Sequence, residues 1–590
     1  MPLDPDALIA RWGDLKNIRN PFEPEWRKAA LTCLPRQYGG WQTQGQGAGG
    51  VVGGAMADSS AAAQGARDAR AFVPDTTAQR ALPKYVALLG SLLTPQQQQW
   101  HTLAPDNPAL ANIKSVKDYF TQVNDVLFKM RYNPSAWFES AQFETYASLG
   151  VYGTGFKFIM PRKKRAGYAG NRGVIYRAQA MRNTWIACND EGVVDTVFRI
   201  IPNMTARNVR MAFPGTKLPP TVEVELGKAR VSDQTEFEIL HVVMPNEDYD
   251  PKELSVNRFP FIGVYLAVKD RVFIGDVEGY RVFPGTAARD FSDPGVAYGY
   301  SPAAMALGSI GTANAVKKTM IKQGQKAVDP PLLAFDDSVI NGRIGMTPGS
   351  VIWGGLDSQG RELVKPVQLG DFQAGTQMLQ EERDAINDSF FVSLYQMLNE
   401  NPDMTATEVM ERAAEKAALL APTMGRLQAS DLGPMIEREV DLAQQAGLLP
   451  EMPPELQEAR GEYQVVYTSP LAKQQKAEAV AAFMRASAWA AQVAQQTGDA
   501  TVLARLNFNA AMPAILDAQG VPSTWVNSDE AVASIMQAKQ AQQQTDMAAK
   551  AAPAIAGMAK AQAVNNQAGV GANAPGAAPA PAVAPISIPG

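Results

Sequence analysis

The chain has 590 residues, of which 46% are hydrophobic and 19% charged, and its formal net charge is −5. This length suggests three or four domain-sized units with sizeable cores. The lack of a basic excess argues against a tight, sequence-specific nucleic-acid binder, although it allows a surface past which DNA slides without sticking.

The first 55 residues combine helices with a glycine-rich loop. The pattern between residues 6 and 34 is helical and is broken at Asn20-Pro21. Residues 39–54 are rich in glycine and glutamine, which is typical of a linker. A phosphate cradle is the alternative, but no Lys-Ser/Thr pair follows the loop and no strand precedes it.

The region 56–150 is predicted to be helical. Apolar residues recur at helical spacing in three stretches, namely residues 78–93, 116–130 and 136–149. The third stretch carries an aromatic stripe that includes Trp137, Phe138, Phe143 and Tyr146. Such a stripe is more typical of a packed core than of a platform on which bases stack.

The region 151–300 is predicted to be rich in β-structure. Short β-branched runs are separated by turn residues, and the runs are residues 155–159, 174–176, 193–201, 221–226, 236–243 and 261–267. They predict several antiparallel strand pairs. The basic run 162–165 lies in one of the turns, and we interpret it as a solvated hairpin tip, with phosphate contact as the alternative.

Two long helices are predicted to bracket a compact β insert. The first begins with Ser301 as its cap and Pro302 at its first position, and it covers residues 301–328. Residues 329–370 contain strand-like pieces and turns, and a second helix covers residues 371–398. Apolar residues recur along both helices, so each should bury one face.

The last part of the chain is predicted to begin with a polar loop and a kinked helix. The loop is residues 399–404, and residues 405–408 form a capping box for a helix that ends at Gly447. Pro422 and Pro434 should kink this helix.

A short strand at 463–467 completes the segment 405–470. A helix over 472–496 follows, within a helical region that covers residues 471–540. Residues 541–590 are dominated by Ala, Gln, Pro and Gly, a composition that predicts disorder.

The sequence offers no catalytic constellation. Cys33, Cys188, His101 and His241 cannot assemble a zinc site at the usual spacings, and they leave little room for Ser-His or Cys-His catalysis. We interpret both histidines as packed or surface residues. The common hydrolase, kinase and nucleotide-binding motifs are absent, and the carboxylates of residues 371–398 are scattered around their helix. We therefore predict a protein that is not an enzyme and uses no cofactor or metal.

Targeting signals are also missing. The first residues lack the basic and apolar regions of a signal peptide. No window of roughly 18 apolar residues is present, so no direct membrane insertion is expected. The isolated cysteines fit folding in a reducing cytoplasm.

Several short motifs occur in one order along residues 20–480. They are Asp75-Thr76-Thr77 leading to Leu93-Thr94-Pro95 and Trp100; Asn133-Pro134 leading to Gly150-Val151-Tyr152-Gly153-Thr154-Gly155; Asp190-Glu191-Gly192 to Arg199 with Met204-Thr205; Tyr298-Gly299-Tyr300-Ser301-Pro302; Pro330-Pro331-Leu332-Leu333; Met404-Thr405-Ala406-Thr407-Glu408 with Glu411-Arg412; and Ser469-Pro470-Leu471-Ala472. The ordered set resembles the head-to-tail connecting (portal) family of podoviruses, the short-tailed bacteriophages. Tyr300 stands where members of that family usually carry arginine.

The resemblance implies an α+β portal fold. Residues 1–55 would be N-terminal helices and a loop, and residues 56–300 would form an α/β wing. Residues 301–328 and 371–398 would be a two-helix stem around a small β clip at 329–370. A tunnel loop at 399–404, a kinked long helix and strand at 405–470, a helical crown at 471–540 and a disordered tail at 541–590 would follow.

The resemblance also implies a channel for double-stranded DNA, which would pass without sequence specificity. Its candidate residues are Asn399, Glu400, Asn401 and Asp403 in the tunnel loop and Lys317, Lys318, Lys322 and Lys326 on the first stem helix. The lysines would place positive charge toward the lumen or the neighbouring subunit. The alternative is ordinary pairing between subunits with the acidic helix that begins near Asp371.

Members of the resembled family form closed rings of about twelve copies. The expected partners are the large terminase, tail adaptor proteins, and scaffold, major capsid and internal core proteins. The expected location is the portal vertex of the virion, after assembly in the host bacterial cytoplasm. Three alternatives stay open: another ring-forming virion protein such as an adaptor or internal core protein, a packaging-associated nuclease, and a scaffold without a viral role.

Overall fold

The computed structural model describes residues 4–35, 73–110, 113–162, 173–232, 235–328, 332–334, 359, 364–366, 373–399, 421–459, 461–467 and 470–497, with shorter pieces between 506 and 542. The chain divides into two compact units, Met1–Leu506 and Asn507–Gly590. The elements below belong to the first unit. In the second unit, the described residues form short helical pieces, such as 534–539.

Several predictions fall outside the described residues. These are the glycine-rich loop after residue 35, residues 163–165 of the basic run, most of the insert 329–370, Glu400, Asn401 and Asp403 of the polar loop, the capping box at 405–408, and residues 543–590 of the tail.

The N-terminal region is mostly helical, as the sequence predicts, but residues 101–105 form a strand that was not predicted. Its elements are α1 (Pro5–Arg19), α2 (Glu23–Cys33), α3 (Thr77–Leu93), β1 (His101–Pro105), α4 (Lys114–Arg131) and α5 (Phe138–Tyr152). Asp4 caps α1, since its carboxylate accepts hydrogen bonds from the backbone amides of Asp6 and Ala7. Gly153 ends α5 with a left-handed φ of 68°, a conformation that favours glycine.

Two antiparallel sheets follow. The elements in chain order are β2 (Thr154–Pro161), β3 (Val174–Gln179), β4 (Thr184–Cys188), β5 (Val194–Ile200), α6 (Ala206–Ala212), α7 (Pro220–Leu226), β6 (Ile239–Pro245), β7 (Phe261–Ala267), β8 (Val272–Phe273), β9 (Glu278–Tyr280) and β10 (Gly285–Arg289). One sheet has the order β10-β2-β3. The other has six strands in the order β4-β5-β6-β7-β8, with β9 also paired to β7. The predicted combination of helices with antiparallel strands is therefore present in the structure.

One of the predicted strands is wrong. Residues 221–226 lie in the helix α7, in which Val222 and Glu225 are buried. The sequence Thr-Val-Glu-Val-Glu-Leu alternates as a strand does, but Pro220 fits the first turn of a helix, and burial at a three-residue spacing is helical.

The main core lies between α2, α3, α4 and α5 and the three-stranded sheet, and its aromatic residues include Trp26, Tyr85 and Phe156. A second cluster joins α1 to the six-stranded sheet through Trp12 and Trp185, whose rings are 5.3 Å apart. The aromatic stripe of α5 is only partly core, because Phe138 and Tyr146 are buried whereas Trp137 and Phe143 are exposed.

A pair of helices follows the sheets. Its elements are α8 (Pro302–Met305), α9 (Leu307–Val328), β11 (Leu332–Ala334), β12 (Val364–Pro366), α10 (Gln373–Ser389) and α11 (Val392–Asn399). Ser301 is a helix cap as predicted, with Oγ accepting from the amide of Ala304 at 2.9 Å. The predicted single helix 301–328 is divided at Ala306 into α8 and α9. β11 and β12 pair antiparallel, and α10 packs along α9, where a Cβ on Gly375 would lie 3.5 Å from Met320 Cγ.

The predicted helix 371–398 is interrupted. It consists of α10 and α11, which are separated at Phe390 and Phe391. Phe391 has a left-handed φ of 53°, and Phe390 is fully buried with its ring 6.2 Å from that of Tyr85. Burial of this aromatic pair against α3 offsets the strain of one unfavourable backbone conformation.

The last elements combine a π-helix with ordinary helices and a distant strand. They are a helical turn at 421–427, the π-helix Gln428–Leu432, α12 (Gly433–Gln445), α13 (Pro454–Glu458), β13 (Tyr463–Tyr467) and α14 (Pro470–Thr497). The π-helix ends two residues before Pro434, one of the two predicted kink positions, and Pro434 is the second residue of α12. As predicted, the helix ends before Gly447, which has a φ of 64°. β13 pairs antiparallel with β1.

Candidate functional site

The paired helices are joined to α3 by a buried carboxylate. Asp75 lies just before α3, and Arg383 of α10 donates to its Oδ2 from Nε and Nη2 at 3.0 and 2.6 Å. The backbone amide of Asp75 donates to Asn314 Oδ1 of α9 at 3.0 Å. Burial raises the pKa of Asp75, but hydrogen bonds from Thr77 and Arg383 outweigh burial and leave the pKa below its ordinary value. One residue therefore fixes both helices of the pair.

The four predicted channel lysines fall into two groups. Lys318, Lys322 and Lys326 are exposed and stand four residues apart, so they form one stripe along α9. Lys317 is half-buried and lies on a different side of the helix, beside α3 and α10. None of the four forms an ion pair with another described residue. The structure thus supports a basic stripe of three lysines and separates Lys317 from it.

The structure describes one of the four predicted loop residues. Asn399 is the last residue of α11, and Glu400, Asn401 and Asp403 lie outside the described residues. Their contact with DNA stays a prediction.

The histidines are packed, in agreement with the sequence interpretation. His101 is fully buried between Trp100 and Phe128, with ring centroids at 4.6 and 5.7 Å. Burial, together with the charge of Arg131, lowers the pKa of His101 to about 2. His241 stacks on Tyr265 at 4.4 Å and accepts a hydrogen bond at Nδ1 from Arg199 Nε. Both rings are therefore enclosed by aromatic side chains.

The remaining groups of catalytic interest are the Cys33 thiol and the side chains that could bind a metal. Burial raises the pKa of Cys33 to about 12, which makes its thiol unreactive. In the part of the chain that the structure describes, no three His, Cys, Asp or Glu side chains are grouped to hold a metal ion. No helix in that part is long and apolar enough to cross a membrane.

Two buried ionic contacts attach the helical segment 421–445 to the helices and sheets that precede residue 300, and Asp431 makes the first of them. It lies in the π-helix and accepts hydrogen bonds from Lys157, from Gln142 at 3.0 Å and from Thr286 at 2.6 Å. The donors belong to β2, α5 and β10, so a single carboxylate joins three elements. Burial lowers the pKa of Lys157, although Asp431 opposes that shift.

Glu439 of α12 makes the second contact. Arg131 of α4 donates to it through Nε at 3.0 Å and through Nη2, and the Tyr176 hydroxyl also donates to it. Arg131 and Glu439 side chains are both 0% exposed. Burial lowers the pKa of Arg131, but the charge and hydrogen bonds of Glu439 outweigh burial, so the pKa is raised overall. The guanidinium carbon also lies 4.6 Å from the Trp100 ring.

A further buried carboxylate, Asp290, lies between α3 and the residues that precede the π-helix. Asp290 accepts from the Tyr85 hydroxyl at 3.1 Å and from Thr423 Oγ1 at 3.4 Å, and its carbonyl accepts from Arg426. Burial raises the pKa of Asp290 to about 6, even though these hydrogen bonds oppose the shift. This carboxyl group can therefore change its charge near neutral pH.

The sequence interpretation missed these buried carboxylates and their partners. One local signal was available, because Lys157 interrupts the apolar strand 155–159, and a charged residue in a buried run is seldom left unpaired. Nothing in the sequence linked Lys157 to Asp431, which lies 274 residues away.

Comparison with known proteins identifies relatives along almost the whole chain. A family model described as "Bacteriophage head to tail connecting protein" matches residues 5–526. The portal protein of Salmonella phage epsilon15 is 25% identical over 552 residues, which cover 92% of this chain and 93% of that protein. A probable portal protein of Bordetella phage BPP-1 is 26% identical over 479 residues, which cover 80% of each chain.

Proposed function

The chain belongs to the bacteriophage head-to-tail connecting protein family, and we propose that it is the portal protein of a short-tailed phage. In this proposal about twelve copies form a closed ring through a heterologous interface with cyclic symmetry. The ring occupies one vertex of the capsid and is the conduit for genome packaging and ejection. The observation that carries the proposal is the match to the family, together with the match to a portal protein and a probable portal protein over most of their length.

The paired helices support an assignment of the stem and clip. The contacts between α9 and α10 and the antiparallel pairing of β11 with β12 fit a helical hairpin with a small β end. Residues 301–328 and 371–398 are proposed as the stem. The clip, 329–370, would provide the surface that the large terminase and tail adaptors contact.

The remaining regions are assigned by their order along the chain. We propose residues 56–300 as the wing, 399–404 as the tunnel loop and 471–540 as the crown. The segment 421–445 follows the proposed tunnel loop and is attached to the wing through the buried Asp431 and Glu439. Such an attachment would resist displacement of the loop as DNA passes, because separating these buried charges is costly.

The charge of the chain is compatible with DNA passing through the ring. Twelve copies at −5 each carry about −60, which favours repulsion over sequence-specific binding of a polyanion. The role is structural rather than enzymatic. Scaffold, major capsid and internal core proteins are further proposed partners, and the ring would assemble in the host cytoplasm before it becomes part of the virion.

Native mass spectrometry of the purified full chain, with negative-stain images, tests this function. We expect a species near twelve times 63.5 kDa, give or take one subunit, and rings with a central hole. A protein that stays monomeric or dimeric at every concentration contradicts the proposal. Binding of a large terminase to the ring would distinguish a portal protein from an adaptor or internal core protein.

Lys322→Glu tests whether the lysine stripe of α9 faces the DNA. Because this exposed lysine has no ion-pair partner among the described residues, we expect rings to form normally while DNA packaging or ejection is weakened. Lys252→Glu, at an exposed position in the loop after β6, is the control and should leave packaging unchanged. Wild-type packaging by Lys322→Glu would show that the stripe does not act on DNA.

A further inference from the structure

A basic cavity lies where the paired helices meet the beginning of α3. It has a volume of about 440 Å³. The charged and amide side chains that line it come from three helices and from Asp75, two residues before α3. The charged ones are Asp75, Arg80, Lys84, Lys317 and Arg383, and the amides are Gln380 and Asn387.

The cavity contains more cations than carboxylates. Four basic side chains face one acid, Asp75, so the local formal charge is 4 − 1 = +3. Asp75 is already engaged by Arg383 and by Thr77. Arg80, Lys84 and Lys317 form no ion pair with any described residue. This excess stands out in a chain whose total charge is −5.

Two of the cations are partly desolvated, and Asp75 fixes the cavity wall beside them. Lys84 and Lys317 are half-buried, and Asp75 is almost completely buried. The contacts of Asp75 with Arg383 and Asn314 fix the start of α3 against both helices of the pair. Partly desolvated cations of like sign repel each other unless an anion lies among them.

We propose that this cavity binds phosphate, either as a free ion or as a phosphodiester of the DNA backbone. Its lysines and arginines approach from α3, α9 and α10, which matches a tetrahedral group whose oxygens point in several directions. A carboxylate, in contrast, is planar and presents its two oxygens on one side, so it matches cations that approach from several directions less well. Arginine and lysine are the usual ligands of phosphate oxygens, and the Asn387 amide can donate a further hydrogen bond.

Isothermal titration of the full chain with inorganic phosphate provides the first test. The test variant is Lys84→Gln/Lys317→Gln, and the matched control is Lys129→Gln/Lys252→Gln, which removes two exposed lysines that lie outside the cavity and outside the lysine stripe of α9. Sodium chloride at the same ionic strength corrects for screening. We expect phosphate to bind wild type and control equally, and the Kd of the test variant to rise roughly tenfold or more per cation removed.

A short DNA duplex identifies the source of the phosphate. If DNA supplies it, the slope of log K against log salt should be shallower in the test variant than in the control, by about 0.9 for each phosphate that the test variant no longer binds. If the test and control variants differ in their affinity for inorganic phosphate but bind the duplex equally, the cavity binds the free ion. Either result supports the cavity as a phosphate site.

Two outcomes would overturn the proposal. In the first, the test and control variants bind both ligands equally. In the second, the test variant loses its ring while phosphate binding is unchanged, which would mean that a carboxylate of a neighbouring copy occupies the cavity. Titration does not require a ring, so a wild-type protein that fails to form one would contradict the proposed function and leave this inference standing.

Discussion

Neutralising one member of the Arg131–Glu439 pair should destabilise the fold far more than neutralising both. Glu439→Gln leaves the guanidinium of Arg131 in place but removes the charge that compensates it. Both side chains are 0% exposed, so water cannot take over that role. Loss of one partner of such a pair costs about 3–5 kcal/mol, and we expect this loss in the free energy of unfolding.

The double variant Arg131→Met/Glu439→Gln should be more stable than Glu439→Gln alone. It leaves no buried charge at this pair, and the amide introduced at position 439 can still accept the hydrogen bond of Tyr176 through its carbonyl oxygen. The remaining cost, about 1–2 kcal/mol, comes from imperfect hydrogen bonding of the new amide and from removal of the guanidinium that lies against the Trp100 ring.

Urea unfolding followed by tryptophan fluorescence measures these differences, provided that the denaturant slope is the same in every variant. Arg271→Met is the control, because Arg271 pairs with Asp6 on the surface, where the two side chains are 66% and 62% exposed. Its loss should cost at most about 1 kcal/mol. Arg131→Met alone completes the set. If Glu439→Gln costs no more than the control, or if the effects of Glu439→Gln and Arg131→Met simply add in the double variant, the reasoning about the buried charge is wrong.

Two further predictions concern Asp290 and Gly153. Because burial raises the pKa of Asp290 from 3.8 to about 6, the folded state binds this proton more tightly than the unfolded state does. The stability of wild type relative to Asp290→Asn should therefore fall by about 3 kcal/mol as the pH rises from about 4 to above 6; a difference that is flat with pH contradicts this. Gly153→Ala should lower the melting temperature much more than Gly192→Ala. Both glycines have a left-handed φ, but only at Gly153 would a Cβ meet backbone, 2.3 Å from the Gly299 carbonyl oxygen. Equal shifts in a thermal melt would rule out the steric contact as the cause.

The predicted helices and most of the predicted strands could be located from the sequence, because their signals are local. The break at Asn20-Pro21, the cap at Ser301 and the stop before Gly447 depend on backbone chemistry within a few residues. The prediction was wrong where a strand pattern and a helix pattern overlapped, because residues 221–226 alternate like a strand but form α7.

The break in the helix after Ser389 shows what local patterns omit. Residues 371–398 read as one continuous helix, and no proline or glycine marks a stop near Phe391. The interruption allows Phe390 to pack against Tyr85, a residue on a distant helix. An unfavourable backbone conformation is tolerated here only because the tertiary packing offsets it.

By itself, the sequence determined the mixed class of fold, the positions of most helices and strands, the run of lysines in α9 and the resemblance to the head-to-tail connecting family. Only the tertiary structure decided which charges meet. Three ion pairs connect residues that are roughly 270 to 310 positions apart in the sequence: Arg131 with Glu439, Lys157 with Asp431 and Arg383 with Asp75. Lys317 likewise lines the same cavity as Arg80 and Lys84. The physical reason is that local backbone preferences act over a few residues, whereas burial of a charge depends on which distant elements pack around it.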